Sequence, residues 1–308
     1  MLDSYAVDLR GKVAVVTGSG RGLGLAYALA LARAGASVVV NDVDAEAADH
    51  AVKTIAEAGG RAVAEVAAVG STEAAERLVA RAVEEFGRLD VMVTNAGILR
   101  DRVLWKMSDE DFDAVVTTHL RGTFTCARAA AVRMREQGEG GSLILVGSPA
   151  GQRGNFGQTN YAAAKAGIAA MVRTWSMELA RAEITVNAIV PVAATAMTET
   201  IPAFAPHVAA MREGQPLPDF LRKGEGFGSA DDCAALVPFL ASALARDVTG
   251  QCVGIGGDRL TLWSHPREAS VAYADGGWTP RTIAAAWHTS VGSAPETVGI
   301  PAPKIPGA

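Results

Sequence analysis

The sequence predicts an α/β fold: a doubly wound, parallel sheet of seven strands in one domain, residues 1–257, followed by a C-terminal extension, 258–308. Three observations carry this prediction. Short β-branched runs alternate with Ala-rich runs of helical apolar spacing from Lys12 to Ile255, glycines stop the helices, and a Gly-rich turn joins the first strand to the first helix. Parallel strands joined in this way need right-handed crossovers. Such crossovers put helices on both faces and ligands at the carboxyl ends of the strands.

The elements follow in order. The first strand is 12–18 (KVAVVTG), and a helix over 23–34 stops at Gly35. The second strand, 36–42, ends in Asp42, and a helix over 45–58 ends at Gly59 and Gly60. A third strand, 62–67, leads to a helix over 72–86 that stops at Gly87. The fourth, 89–97 (LDVMVTNAG), runs into a loop, after which Ser108 and Asp111 resemble a helix N-cap opening one long helix toward Glu136. The fifth strand is 142–148, a helix covers 159–181, and the sixth strand is 184–190. A last helix, 229–244, precedes the seventh strand, 251–255.

Two stretches break the rhythm. Residues 191–228 hold Pro202, Pro206, Pro216 and Pro218, are too long for a plain connection, and follow a strand's carboxyl end. That position suits a lid over a substrate. The extension suits a cover or an oligomer contact, and its last residues, PAPKIPGA, have the composition of a disordered end.

Composition narrows the function classes. With 28 Lys and Arg against 33 Asp and Glu, the net charge is −5, so no basic excess calls for nucleic acid. No apolar run is long enough for a membrane span, and MLDSYAVDLRGK lacks the marks of a signal peptide, so a cytoplasmic location is expected. Cys126, Cys233 and Cys252 are odd in number and far apart, which fits reduced thiols and no structural metal.

Two stretches can carry chemistry. In 17–24 (TGSGRGLG), glycines let the backbone approach a pyrophosphate held at a helix N-terminus. Asp42, ending the second strand, suits the ribose hydroxyls of NAD and repels a 2′-phosphate, whereas Arg21 could pair with one. In 148–165 (SPAGQRGNFGQTNYAAAK), Ser148 offers a hydroxyl, and Tyr161 and Lys165 lie one helical turn apart. A lysine within about 4–6 Å brings a phenol down from its ordinary value of about 10 toward the working range. The same pair also suits an ordinary amphipathic helix start; the cofactor motif favours chemistry.

Together, the TGxxxGxG form at 17–24, Asn95-Ala96-Gly97, Ser148, Tyr161-x-x-x-Lys165 and the spacing 161 − 148 = 13 resemble the short-chain dehydrogenase/reductase family. The likeness covers about residues 9–257 and implies a Rossmann-type domain and a homodimer or homotetramer. It implies Tyr161 as general acid/base, Lys165 lowering that pKa and holding the nicotinamide ribose, and Ser148 orienting the substrate oxygen. Cofactor contacts are implied at Gly18, Gly20, Arg21, Gly22, Leu23, Gly24, Asp42, Asn95, Ala96, Gly97, Pro191 and Thr195.

A narrower likeness rests on NAGILRDR (95–102), HLRGTF (119–124), GNFGQTNYAAAK (154–165), PVAATAMTETIP (191–202) and WTP…AW (278–287). These are similar to the (3R)-hydroxyacyl-CoA dehydrogenase domains of peroxisomal multifunctional enzymes, also called 17β-hydroxysteroid dehydrogenase type 4. That group implies NAD and a 3-hydroxyacyl-CoA or steroid-like alcohol. Arg100, Arg102, Lys106, Arg153 and Lys223 are candidates for CoA phosphates, and Met197, Ile201, Phe204 and Met211 suit a bulky apolar group.

Three positions depart from the wider family. His119 stands where an Asn usually anchors a water in the proton relay, so it is either a relay group or a buried, hydrogen-bonded helix residue. The Asp that binds adenine is missing near 68–71, which leaves backbone or apolar contact, and Val192 replaces a Gly. Two rival functions stay open: NADP-dependent 3-oxoacyl reduction, and dinucleotide sensing without catalysis. The intact Ser148, Tyr161 and Lys165 speak against the second.

Overall fold

A computed structural model describes residues 7–194, 205–213 and 215–300. Its sheet contains β1 (Val13–Thr17), β2 (Ser37–Asp42), β3 (Arg61–Val66), β4 (Val91–Thr94), β5 (Gly141–Val146), β6 (Ile184–Pro191), β7 (Cys252–Gly256) and β8 (Arg259–Trp263). The spatial order is β3-β2-β1-β4-β5-β6-β7-β8. The first seven strands are parallel, as the alternation of strand and helix requires.

The eighth strand corrects the sequence reading, which counts seven. β8 runs antiparallel to β7, with Gly256 opposite Arg259 across the two residues Gly257 and Asp258. Gly257 has φ +51°, a backbone region that side chains avoid, and this tight turn folds the chain back as a hairpin. One face of β8 stays largely in solvent, with Leu260 and Leu262 exposed. Its sequence therefore lacks the apolar run that marks the buried strands.

Helices cover both faces. α1 (Gly22–Arg33) and α2 (Ala45–Glu57) pack on one side, α3 (Thr72–Phe86) on the other. Leu31, Ile55 and Leu78 are fully buried, each worth about 1.5–3 kcal/mol of transfer free energy. The long helix expected toward Glu136 is interrupted. It forms α4 (Asp109–Val116), a π-helical turn at Thr117–Arg121, and α5 (Gly122–Gln137). Ser108 does cap α4, accepting the Asp111 N–H at 3.1 Å.

A short helix α6 (Pro149–Arg153) leads to α7 (Thr159–Glu178), whose Ile168, Ala169 and Val172 lie in the same core as α3 and α5. The excursion after β6 is closed at its base, where the Ala194 N–H donates to the Gly228 carbonyl at 2.7 Å. Within it, α8 (Ala205–Arg212) contributes Val208 to a small separate core with Leu217, Leu221 and Phe227. The helix expected over 229–244 is also broken, into α9 (Ala230–Ala234), α10 (Leu236–Ala241) and a 3-10 turn, Ala243–Ala245. In the extension, α11 (Pro280–Ala286) starts at a Thr279 capping box. Among the described residues, no helix is long and apolar enough to cross a membrane.

Candidate active site

The strand order reverses between β1 and β4, so the loops leaving their carboxyl ends separate and open a crevice. A cleft of about 1480 Å³ runs across it. Gly18, Arg21, Gly22, Leu23, Gly24, Asp42, Asn95, Ala96, Gly97, His119, Ser148, Tyr161, Lys165 and Pro191 all line this cleft. Gly20 does not line it. Its N–H donates to Asp42 Oδ2 at 3.1 Å. Thr195, with Met197, Ile201 and Phe204, lies outside the described residues.

The Gly-rich turn is a cradle that side chains would fill. Gly18 has φ +61°, and a Cβ there would stand 2.7 Å from the Ala96 Cα. A Cβ on Gly24 would overlap the Gly18 carbonyl oxygen. No side chain caps α1 at Arg21, so the first N–H groups of that helix remain for an anion. These features fit the pyrophosphate of a dinucleotide.

Two ties fix the cradle. Asn95 Nδ2 donates to the Thr17 and Gly18 carbonyls at 3.0 and 2.9 Å. Thr17 Oγ1 accepts the Asn95 and Ala96 N–H groups at 2.9 and 3.1 Å. Thr17 opens the Gly-rich motif, and nothing in the motif itself signals this second role. At the adenosine end, Asp42 also takes the Asp44 N–H at 3.2 Å, which sets its carboxylate at the cleft edge. Arg21 is mostly exposed, with a distant ion pair to Asp44 at 3.9 Å. Ala67, Ala68 and Val69 line the cleft where the usual Asp is missing.

At the other end, Ser148 caps α6 by accepting the Ala150 N–H at 3.2 Å, and its hydroxyl lies close enough to Tyr161 to act on the phenol. Lys165, one turn beyond Tyr161 on α7, has its Nζ 5.6 Å from the phenol ring centre and donates to the Val146 carbonyl at 2.6 Å. A nucleotide cradle therefore ends where a serine, a tyrosine and a lysine line the same cleft. The family described as short chain dehydrogenase matches residues 12–205. The chain belongs to that family.

Known proteins agree with this assignment. The dehydrogenase is 44% identical over 293 residues to hydroxyacyl-CoA dehydrogenase ChsB1 of Mycobacterium tuberculosis, covering 90% of this chain and 88% of that protein. It is 46% identical over 200 residues to peroxisomal multifunctional enzyme type 2 of Mus musculus, covering 62% of this chain and 27% of that longer protein. A short chain dehydrogenase from Mycobacterium avium superposes with a TM-score of 0.80 at 35% identity, covering 96% of this chain and 99% of that one. The dehydrogenase is thus an oxidoreductase of the group that its motifs resemble.

The electrostatics of the site depart from the expectation for the phenol. Burial raises the Tyr161 pKa, and the Ser148 hydroxyl opposes this only in part. Burial also brings Lys165 down to about 7, so near neutral pH its charge is only partly present. The lysine stands where the sequence placed it, yet it does not outweigh desolvation at Tyr161.

His119 lies in the π-helical turn, 3% exposed. Its Nε2 is 3.1 Å from the Ile98 nitrogen and 2.8 Å from the Ile98 oxygen, and its Nδ1 has no partner among the described residues. Burial, with the Lys165 charge behind it, takes its pKa down to about 3, so the ring is neutral. It meets the Tyr161 ring edge-on at 5.1 Å. A Cβ at Gly97 would overlap the imidazole, which explains a glycine there.

Asn160, which the sequence reading passed over, is fully buried beside the tyrosine. Its Nδ2 donates to the Arg100 and Asp111 carbonyls at 3.0 and 3.1 Å, and its Oδ1 accepts the Tyr161 N–H at 2.8 Å. It pins the start of α7 to the loop after β4. Nothing local in the sequence signals this, because both acceptors are backbone groups about 50–60 positions away. Of the five cations proposed for the mouth, Arg153 alone lines the cleft. Lys223 pairs with Asp219 at 2.7 Å, and Arg100 and Arg102 bond neighbouring carbonyls.

Proposed function

We propose that this dehydrogenase interconverts a secondary alcohol and a ketone with NAD, and that its substrate is a 3-hydroxyacyl-CoA or a steroid-like alcohol. The convergence of Ser148, Tyr161 and Lys165 at the end of the nucleotide cradle carries this reading. Ser148 and Tyr161 hold the substrate oxygen between two hydroxyls, and Tyr161 exchanges a proton with it. Lys165 holds its Nζ against the Val146 carbonyl, where its charged form would favour the phenolate and would bond a ribose hydroxyl. The cradle at Gly18, Gly22 and Gly24, with Asp42 and Lys165, would hold NAD, which would supply the hydride acceptor when bound.

Asp42 supports NAD over NADP. Its carboxylate edges the adenosine end of the cleft, while Arg21 extends into solvent toward Asp44. The substrate class is supported by the two relatives named above as hydroxyacyl-CoA dehydrogenase and peroxisomal multifunctional enzyme. A homodimer or homotetramer is part of the same proposal, with exposed Phe124 on α5 and Met177 on α7 as apolar contacts.

The test is absorbance at the NADH band with 3-hydroxyacyl-CoAs of several chain lengths and a 17β-hydroxysteroid, repeated with NADP. Turnover with NAD at the lower KM is expected. A lower KM for NADP would favour 3-oxoacyl reduction. NADH binding without turnover on any substrate would favour a sensing role.

A further inference from the structure

We infer that residues 297–300 of the C-terminal extension, clamped by Arg153, form the substrate-side wall of the cleft and determine which alcohols it admits. This deepens the functional reading above and rests on it. Arg153 closes α6, the five-residue helix that Ser148 caps. Whatever Arg153 holds is therefore one short helix away from the serine hydroxyl.

What it holds is the chain's own extension. Arg153 Nε donates to the Gly299 carbonyl at 2.8 Å, and Nη2 donates to the Thr297 carbonyl at 3.2 Å and its hydroxyl at 3.1 Å. In return the Arg153 carbonyl accepts the Gly299 N–H at 2.7 Å. Ile300, the next residue, lines the same cleft as Ser148 and Tyr161.

The rest of the extension shows how much depends on this clamp. From 264 to 300 no residue is buried, so no core side chain fixes the segment. It is tied by β8 at one end and by the Arg153 bonds at the other. Each such bond is worth about 0.5–1.5 kcal/mol net, enough to place the wall and little enough to let it yield to a substrate.

The chemistry of the wall selects the part of the substrate that meets it. The Arg153 guanidinium is engaged by two peptide carbonyls and a hydroxyl, so it serves as a clamp and not as a phosphate anchor. Ile300 presents an aliphatic surface, which suits the acyl chain or ring system next to the reacting carbon.

Three variants test this: a chain ending at Glu296, Arg153→Ala, and Ile300→Ala. Each is assayed for KM and kcat across 3-hydroxyacyl-CoAs of increasing chain length and a 17β-hydroxysteroid. Loss of the wall should raise KM for short substrates about tenfold with kcat little changed, and shift the preference toward bulky ones. Melting temperatures should stay within a few degrees of the unaltered chain, since no side chain of the segment enters the core. An active parent enzyme whose truncation keeps both KM and chain-length preference overturns this inference alone. A parent enzyme silent on every substrate overturns the functional reading and the inference with it.

Discussion

Asp90 and Lys165 are buried ionisable groups at opposite ends of the same sheet, 4% and 3% exposed, and their surroundings differ in kind. Asp90 stands just before β4. It accepts from the Val13 N–H at 2.9 Å, from Lys12 at 3.0 Å, and from Arg88 Nε and Nη2 at 2.8 and 2.6 Å. Burial raises its pKa, but Arg88, the Val13 N–H and Lys12 together hold it below the usual carboxylate range. Lys165 has one carbonyl, and no carboxylate among the described residues. The amino ends of the strands satisfy their buried charge, whereas the carboxyl ends leave theirs for a ligand.

The first way to break this comparison is to remove the unsatisfied group. Lys165→Met and Tyr161→Phe should each cut kcat by about 10²–10⁴-fold while NADH still binds. Steady-state turnover with a fluorescence titration of NADH checks both. Near-native turnover in Tyr161→Phe would end its assignment as acid and base.

Removing the satisfied group should instead cost stability. Asp90→Ala leaves the Val13 N–H without its carboxylate, Lys12 half-exposed and Arg88 with Glu139 alone, and should cost about 1–3 kcal/mol in urea unfolding. The pH dependence follows from the depressed pKa. Asp90 contributes its full stability above the unfolded carboxylate value of about 4, and loses it as pH falls through the folded value. The gap between parent and variant should therefore narrow in acid.

The same logic gives Lys165 the opposite sign. Its folded pKa, about 7, lies below the unfolded value. Between pH 7 and about 10 the unfolded lysine keeps a proton that the folded one has lost, so stability falls as pH drops through this window. Lys165→Met should thus be more stable than the parent at pH 7, by up to a few kcal/mol, and lose that advantage near pH 10. Equal stability of the two chains at pH 7 would show that the burial penalty has been relieved.

How much of this was legible in the sequence depends on whether the cause is local. Seven strands and their helices were readable because period and glycine stops are local, and Ser108 announced its cap. β8 was not, because RLTLW keeps one face in solvent and its pairing depends on the turn at Gly257. The π-helical turn at Thr117–Arg121 was hidden, since no Gly or Pro breaks the run before Gly122. In the site, spacing puts Tyr161 and Lys165 one helical turn apart, and the family motif, not spacing, adds Ser148; the structure brings all three to one cleft. The raised phenol and the lowered lysine were not readable, because both come from tertiary burial. The Arg153 clamp joins residues 146 positions apart and has no local signature.

The smallest expected effect concerns His119, where the two sequence readings lead to different pH profiles. The imidazole bonds the Ile98 backbone, fills the space beside Gly97, and meets the Tyr161 ring edge-on. An asparagine can restore the first contact but not the other two. His119→Asn should therefore keep kcat within about tenfold, with His119→Ala lower, since it leaves the buried Ile98 groups unpaired. With its pKa near 3, the parent imidazole holds no extra proton at any working pH. The acid limb of kcat against pH should then be the same in parent and His119→Asn. A limb displaced by a full pH unit would instead make His119 a titrating member of the proton path, and the unpartnered Nδ1 would be the atom through which the proton moves.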